Sequence, residues 1–564
     1  MMPDRLATPP RTGYAPVITP ARYTRPIVAD DEPPYPIRAR WRNPVWIGLV
    51  VAGVVTFVVH MVANLVSPYG PHRDELLYLA MGRHLRFWEM DFPPGIAVVA
   101  ELTRGLIGAS LPAIRLSSAL AATALVMLAY GLARLFGGRG RACALAGLAV
   151  LASPLFLRTG TLFQPVVFDQ LWWTLGFVAL VRIGTLAPRG SMRRPRATPA
   201  PDRVAWLGLG AAVGLGLLTK FSIAFFAVAV LVGVLATPLR RRLATPWPWA
   251  AVALALTIGA ASLVGQIRLG WPVVGQLFDL RATQLERVGP IEFVAGQLLL
   301  GPAFALAVLG AWHLLRAEDA ERWRAVGWAC VTAFVLLLVL RGKPYYLGPV
   351  YPVLFAAGAV AFERRVLRLP RLSMRRIARG AAYAVIAAYG AVTLPFGLPI
   401  LAPASMARYA SALGGTGTTT NTGGRLALPQ DYADMLGWPE QAARVDAIVN
   451  TLPPAKRTDV VLLAGNYGEA GALEYYGPPL DLPPVVSPAG SFWFFGPGDL
   501  PGTTTIAVGI PLQQLRRYFR RVTPMGRIRH ELTRWVVDEE RDVVVALCEE
   551  PYQTLQDVWP NLRP

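Results

Sequence analysis

The sequence predicts an all-α polytopic membrane protein that carries a small α/β domain at its C-terminal end. The first observation is composition. Of 564 residues, 54% are hydrophobic and only 16% charged, where a soluble domain carries about a quarter charged residues, and mean hydropathy is +0.41. The second is a recurrence of apolar runs close to the length of about 20 residues that crosses a hydrocarbon layer. The third is a change of texture after residue 402, where long apolar runs give way to short β-branched ones bounded by turn residues.

Residues 1–44 hold ten prolines and seven arginines and few large apolar residues. They lack the short apolar core and small-residue cleavage site of a signal peptide, so they read as a disordered cytoplasmic tail. Eleven spans follow, near 45–67, 112–136, 142–158, 165–186, 204–219, 221–238, 248–266, 292–315, 325–341, 348–363 and 381–401. Threaded from a cytoplasmic N-terminus, they put the arginine-rich connectors at 137–141, 188–203, 240–242, 316–324 and 363–379 on the inner side, as the positive-inside rule requires. That placement accounts for most of the formal net charge of +20 without nucleic acid as a partner.

The outer connectors are then 68–111, 158–165, 219–222, 266–290 and 341–352, together with everything after about 402. Residues 45–401 form the transmembrane domain, 402–424 with "GGTGTTTNTGG" a linker, and 425–564 an extracytoplasmic α/β domain. Its strands are expected in "DVVLLAG", "TTTIAVGI" and "RDVVVALCE", and its helices in "PEQAARVDAIVNTL" and "PLQQLRRYFRRV". Cys143, Cys330 and Cys548 are the only cysteines and support no disulfide framework.

Charged residues gather where the first span leaves the membrane. In "PYGPHRDELLYLAMGRHLRFWEMDFPPG" (68–95), Asp74 and Tyr78 stand one helical turn apart, so the segment reads as an amphipathic interfacial helix presenting a carboxylate at the membrane mouth. Arg73, Glu75 and His84 share it, and Asp91 precedes two prolines that stiffen the chain as it re-enters the apolar phase. Asp169, in "FDQLWW", lies just inside a span, where an ionisable group is costly and faces a bundle interior or a wet cavity unless it reaches the interface or pairs with Arg158.

Of 55 basic residues, 52 are arginine; two of the three lysines, Lys220 and Lys343, fall at outer membrane edges. Arginine anchors at an interface as well as lysine does, whereas a compact ammonium suits a phosphate held as a point charge. Arg268, Tyr345 and Tyr346 lie at the same level, the tyrosines serving equally well as an aromatic belt. Such carboxylates and cations suit a reaction in which a carboxylate takes a hydroxyl proton while cations stabilise a departing lipid phosphate. Walker, His-Glu-x-x-His and cysteine-cluster motifs are missing from the sequence.

"RDELLYLAMGRHL" with "MDFPPG", then "FDQLWW", "GLGLLTKFS", "GKPYYLGPVYP", "NYGEAGALEYYG" and "SPAGSFWFFGP", in this order, resemble the GT-C glycosyltransferases of family 39, which include protein O-mannosyltransferases and the lipid A aminoarabinose transferases. The resemblance implies a GT-C fold, a polyprenyl-phosphate sugar donor, an extracytoplasmic acceptor and inversion at the anomeric carbon. By that likeness Asp74 is the candidate general base with Glu75 beside it, and Asp169 a second acid towards the acceptor. Lys220, Lys343 and Tyr345 match the donor-phosphate region, where Tyr346 is grouped with them; Arg268 joins that set from topology alone. Arg73, His84 and Asp91 are expected to position the loop or the acceptor.

The expected acceptor is a cell-envelope glycan, glycolipid or lipid; no lumenal insertion of the protein-mannosylating kind is present. No cofactor is expected, and a divalent metal is left open, since two adjacent acids are weak grounds for one. The alternative, a transporter or lipid-carrier flippase, would favour helices broken at the bilayer midplane, whereas here the charges collect at the outer edge.

Overall fold

The computed structural model describes residues 44–186, 200–414, 418–419 and 423–563. The expected N-terminal tail, but for its last residue, and most of the 188–203 connector lie outside the described residues.

A helix stands at every expected span. Pro44–Val66, Leu111–Leu135, Pro165–Leu186, Ala200–Leu217, Arg324–Val339, Tyr351–Leu367 and Leu372–Gly397 are continuous. Four spans are broken: Gly140–Leu151 and Pro154–Thr161 meet at 63°, Ile223–Leu235 and Pro238–Ala244 at 105°, Pro246–Ile258 and Ala260–Arg268 at 56°, and Pro290–Leu300 and Pro302–Arg316 at 107°. Three breaks coincide with a proline that opens the second piece, because proline cannot donate to the preceding turn but suits the first helical position. Counted by length and apolar content among the described residues, six helices can cross a membrane, or up to ten if each bent pair is one span, against the eleven expected. Ala200–Leu217, which borders undescribed residues, is the helix outside that count.

The first span shows the solvent this fold is built for. Trp46, Ile47, Val50, Val51, Val54, Val58 and Leu65 all point outward, and a continuous apolar face of this kind is stable only against hydrocarbon or another protein. Inside the bundle, helices approach through small residues rather than large ones. Where Pro302–Arg316 crosses Tyr351–Leu367, a methyl group at Gly310 would strike the Leu354 carbonyl, and one at Gly358 would strike that of Leu306.

The two ends of the bundle differ in chemistry. At one end Arg364 pairs with Asp319 and donates to the Phe136 carbonyl (3.3 Å), and Arg379 grips Glu363. Three arginine-bearing connectors therefore share that end. The other end carries the Arg73–Arg83 helix, the turn before Pro165, and Lys220 and Lys343.

The C-terminal region is built on a five-stranded sheet. β1 (Thr418–Thr419) and β2 (Arg425–Leu426) form a separate antiparallel pair; β3 (Val460–Ala464), β4 (Val485–Val486), β5 (Thr504–Val508), β6 (Phe519–Ile528) and β7 (Val543–Pro551) follow, with order β4-β3-β5-β7-β6. β3 runs parallel to β4 and β5, and β7 antiparallel to β5 and β6. The three expected strands are β3, β5 and β7. "PLQQLRRYFRRV" is not one helix: it turns once at Leu512–Leu515 and then becomes β6. The reason is cross-strand charge, since Arg521 reaches Glu549 and Glu550 while Arg527 pairs with Asp542, and these arginines also guard an exposed sheet edge. Within 402–424, Pro403–Ala412 is helical and Tyr409 donates to the Val392 carbonyl (2.6 Å), tying it to the last span.

This region sits on the connector 68–111. Gly70 N–H donates to the Met435 carbonyl (3.2 Å), Arg73 N–H to that of Asp434 (3.0 Å), and Gly471 leaves space for the Leu76 backbone. The C-terminal region and residues 68–111 thus share one side of the bundle.

Gly358→Val drives an isopropyl group into the Leu306 carbonyl. The expected result is loss of the monodisperse detergent-extracted protein, or a lower thermal unfolding temperature, read by size exclusion and tryptophan fluorescence.

Candidate functional site

Asp74 stands at the start of the Arg73–Arg83 helix, which opens on a reciprocal cap. The His72 ring Nδ1 accepts from Asp74 N–H (3.0 Å), and Glu75 Oε2 accepts from His72 N–H (2.7 Å). Successive residues of a helix point about 100° apart, so fixing Glu75 inward turns Asp74 outward. Its carboxylate is half-buried and takes two neutral donors: Gln164 Nε2 on Oδ2 (3.2 Å) and the Tyr467 hydroxyl on Oδ1 (3.0 Å).

Glu75 does something else. Enclosed completely, it accepts from Arg115 Nε (2.9 Å) and Nη2 (2.7 Å) and from Phe163 N–H (2.7 Å) as well as from His72. Burial alone would raise its carboxyl; the Arg115 charge and these bonds outweigh it and hold it below the usual range. Glu75, expected to work chemically beside Asp74, is thus enclosed by donors from the protein that bind the loop to the bundle.

Across from Asp74 lie the lysines. Lys343 Nζ donates to Gln284 Oε1 (2.6 Å). Burial pulls its ammonium below the usual lysine range, Asp431 and Asp74 draw it back up, and Lys220 pushes it further down. Lys220 Nζ lies 5.0 Å from the centre of the Tyr346 ring, a cation–π distance, and Tyr345 packs edge-on against Tyr346 at 4.7 Å. Asp169 is buried, accepting from Trp173 Nε1 (3.1 Å) and Ser222 Oγ (2.9 Å), within electrostatic reach of Lys220. Asp74, Lys343, Lys220 and Asp169 thus form a run in which two neighbouring ammonium groups are flanked by a carboxylate on either side. The alternative pairing of Asp169 with Arg158 does not occur, because Arg158 donates to Asp431 (2.9 Å).

The other expected residues are structural neighbours of this run or lie apart from it. Arg73 pairs with Glu539, approaches Asp434 (3.9 Å) and lies over the Tyr467 ring at 4.8 Å. His84 meets Glu474 (2.9 Å) and stacks on Phe495. Asp91 is buried; Oδ2 accepts from Ser491 (2.8 Å) and Gln276 (3.1 Å), and its backbone carbonyl from Gln266 (2.6 Å). All three tie the outer loop to the C-terminal region or the 266–290 connector. Arg268, by contrast, is exposed at the end of Ala260–Arg268 and has no contact with the lysines among those described, so the structure does not bring it together with the other expected donor-phosphate residues. Topology put it on the right face but said nothing of its direction.

Four groups at the site were missed in the sequence. Asp431 stands against Arg158 with its side chain 53% exposed while acting electrostatically on Lys343 and Tyr345. His72, Gln164 and Tyr467 contact Asp74 directly. Among the described residues no group of three or more His, Cys, Asp and Glu side chains is arranged to hold a metal ion.

Two measurements check these assignments. Glu75→Gln leaves Arg115 buried without its counter-charge and should cost about 3–5 kcal/mol of stability, read as a large drop in unfolding temperature. Burial pushes the Asp91 carboxyl up to about 6 from an ordinary 3.8, so the folded protein binds this proton more tightly than the unfolded chain. Its stabilising contribution is complete below the ordinary value and lost as pH rises through about 6; melting curves across that range should show the decline, and Asp91→Asn should flatten it.

Residues 91–264 match the family described as dolichyl-phosphate-mannose-protein mannosyltransferase. The fold is similar to that of ArnT from Cupriavidus metallidurans bound to undecaprenyl phosphate, at 18% identity and a TM-score of 0.57, covering 89% of this chain and 98% of that one. It is also similar to the archaeal oligosaccharyltransferase AglB from Archaeoglobus fulgidus in complex with an inhibitory peptide and a dolichol-phosphate, at 11% identity and a TM-score of 0.51, covering 84% and 70%. No curated protein matches the sequence. The architecture is the GT-C glycosyltransferase fold.

Proposed function

We propose that this chain, a membrane protein with the GT-C glycosyltransferase fold, moves a hexosyl or pentosyl group from a polyprenyl-phosphate carrier to a hydroxyl of a cell-envelope glycan, glycolipid or lipid. The observation that carries this reading is the grouping of two ammonium groups, Lys343 and Lys220, between two carboxylates, Asp74 and Asp169, where bundle and C-terminal region meet. The fold match to proteins whose structures hold undecaprenyl phosphate and dolichol-phosphate supports the choice of donor.

In the proposed reaction, Asp74 takes the proton of the acceptor hydroxyl as its oxygen bonds to the anomeric carbon. The bond from that carbon to the phosphate oxygen breaks from the opposite face, inverting the configuration. The electron pair leaves with the phosphate, whose growing charge is met by the Lys220 and Lys343 ammonium groups with Tyr345 and Tyr346 beside them. Asp169 holds Lys220 from behind. The acceptor enters from the side of the C-terminal region, which the reading places outside the cell membrane with the N-terminus in the cytoplasm.

A transporter or flippase uses paired charges to carry a group through the bilayer; here the charges lie at one end, which favours chemistry at a surface. The test is transfer in membranes supplied with lipid-linked sugars. Asp74→Asn should lower turnover by about 10²-fold or more, the scale of a lost general base, while binding of the lipid phosphate, followed by quenching of intrinsic fluorescence, stays near wild type. Full turnover in that variant removes Asp74 from the role.

A further inference from the structure

From the position of its hydroxyl, we infer that Tyr467, in the C-terminal region, is a positioning residue for the transfer reaction, orienting and polarising the Asp74 carboxylate from outside the membrane bundle. The inference rests on Asp74 being the base and adds a second group, from a different part of the chain, on which that base depends.

The local structure around Tyr467 is fixed from both sides. It is the first residue of the Tyr467–Tyr476 helix, whose cap is reciprocal: Asn466 Oδ1 accepts from Gly468 N–H (2.8 Å) and Glu469 N–H (2.9 Å), while Glu469 Oε2 accepts from Asn466 N–H (3.1 Å) and Gly465 N–H (2.9 Å). The ring is covered by the Arg73 guanidinium at 4.8 Å, itself held by Glu539 and Asp434. Ring direction is therefore set by two clamps, and the hydroxyl reaches Asp74 Oδ1 at 3.0 Å. Burial, and then the Asp74 charge, hold the phenol far above its usual range, so it serves as a donor throughout the working pH.

The groups that face Asp74 come from every neighbouring element: His72 from the preceding loop, Tyr78 from its own helix, Gln164 from the turn before Pro165, Lys343 and Tyr345 from the 341–352 connector, and Asp434 and Tyr467 from the C-terminal region. Only Gln164 and Tyr467 donate side-chain hydrogen bonds to its oxygens among the contacts described. Each occupies a different oxygen, so together they fix the plane of the carboxylate, leaving one lone pair on each oxygen for an incoming hydroxyl. A hydrogen bond to the ionised form favours that form, and Tyr467 supplies one of the two that the Asp74 side chain receives.

The test uses the full-length protein in nanodiscs and the variant Tyr467→Phe, which keeps the ring, its stacking under Arg73 and the helix cap. The expected result is a fall in kcat of about tenfold, with the acidic limb of the pH–rate profile moved upward by about one unit. Unfolding temperature and lipid-phosphate binding should hold. An unmoved limb, with or without a lower kcat, overturns the inference, as does a fall in kcat explained by a lower unfolding temperature. Asp74→Asn is run in parallel to separate the two readings. If it retains turnover, the base assignment has failed; if it is inactive while Tyr467→Phe behaves as wild type, only the role of Tyr467 has.

Discussion

A carboxylate without solvent governs the geometry of this end of the molecule. Taking Glu75 and Arg115 out of water costs several kcal/mol each unless the pair is bonded on every side, and here Glu75 meets two guanidinium nitrogens and two backbone N–H groups within 2.9 Å. Those four donors come from three places: the loop at His72, the Leu111–Leu135 helix and the turn at Phe163. Satisfying one charge therefore locks three segments to one another. Gln164 follows Phe163 directly, so the residue that touches Asp74 is placed by the same bond, and Asp74 itself precedes Glu75 on the helix. The exposed carboxylate owes its position to the buried one.

The C-terminal region completes what the bundle leaves open. Arg73 leaves the loop helix and enters a nest of acids, Glu539, Asp434 and Glu540, supplied by that region. Asp431 and Arg158 do the same from the other direction, with the guanidinium 4.3 Å above the Tyr432 ring. The charges between the two bodies act in surroundings less polar than bulk water, where each is worth more than at an open surface. A site bordered on one side by the bundle and on the other by this region suits the proposed meeting of a lipid-borne phosphate with an acceptor hydroxyl.

Much of the bundle was legible because its signals are local. Apolar length marks a span wherever it falls, and arginine clusters mark one end; both can be read without knowing which helix touches which. The four bent spans were not visible as bends, since Pro154, Pro238 and Pro302 read equally as helix starts or as interruptions. Asp74, Asp169, Lys220 and Lys343 stood out as charges at membrane edges. Glu75 looked like a partner to Asp74 because two adjacent acids suggest shared chemistry, yet adjacent helical positions face different ways. Gln164 and Asp431 bring no unusual signal, and His72 and Tyr467 lie in quoted motifs without standing out there: their importance arises from contacts between residues as far as 393 apart in sequence. The β6 strand was misread for a related reason, since its pairing with Glu549, Glu550 and Asp542 is set across the sheet.

The two acids proposed for the reaction differ in ways that divide their work. Both oxygens of Asp169 accept from residues of the bundle itself, Trp173 and Ser222, and its nearest counter-charge is Lys220. Rotating it would strand an indole N–H and a hydroxyl inside the membrane end, where unpaired polar groups are costly. Asp74 is partly exposed and bonded to neutral donors from a turn and from the C-terminal region. A base must meet a substrate that arrives and leaves, whereas a group that holds an ammonium in place is best left undisturbed. On that physical ground the proposal gives the proton to Asp74 and leaves Asp169 to hold Lys220 in place.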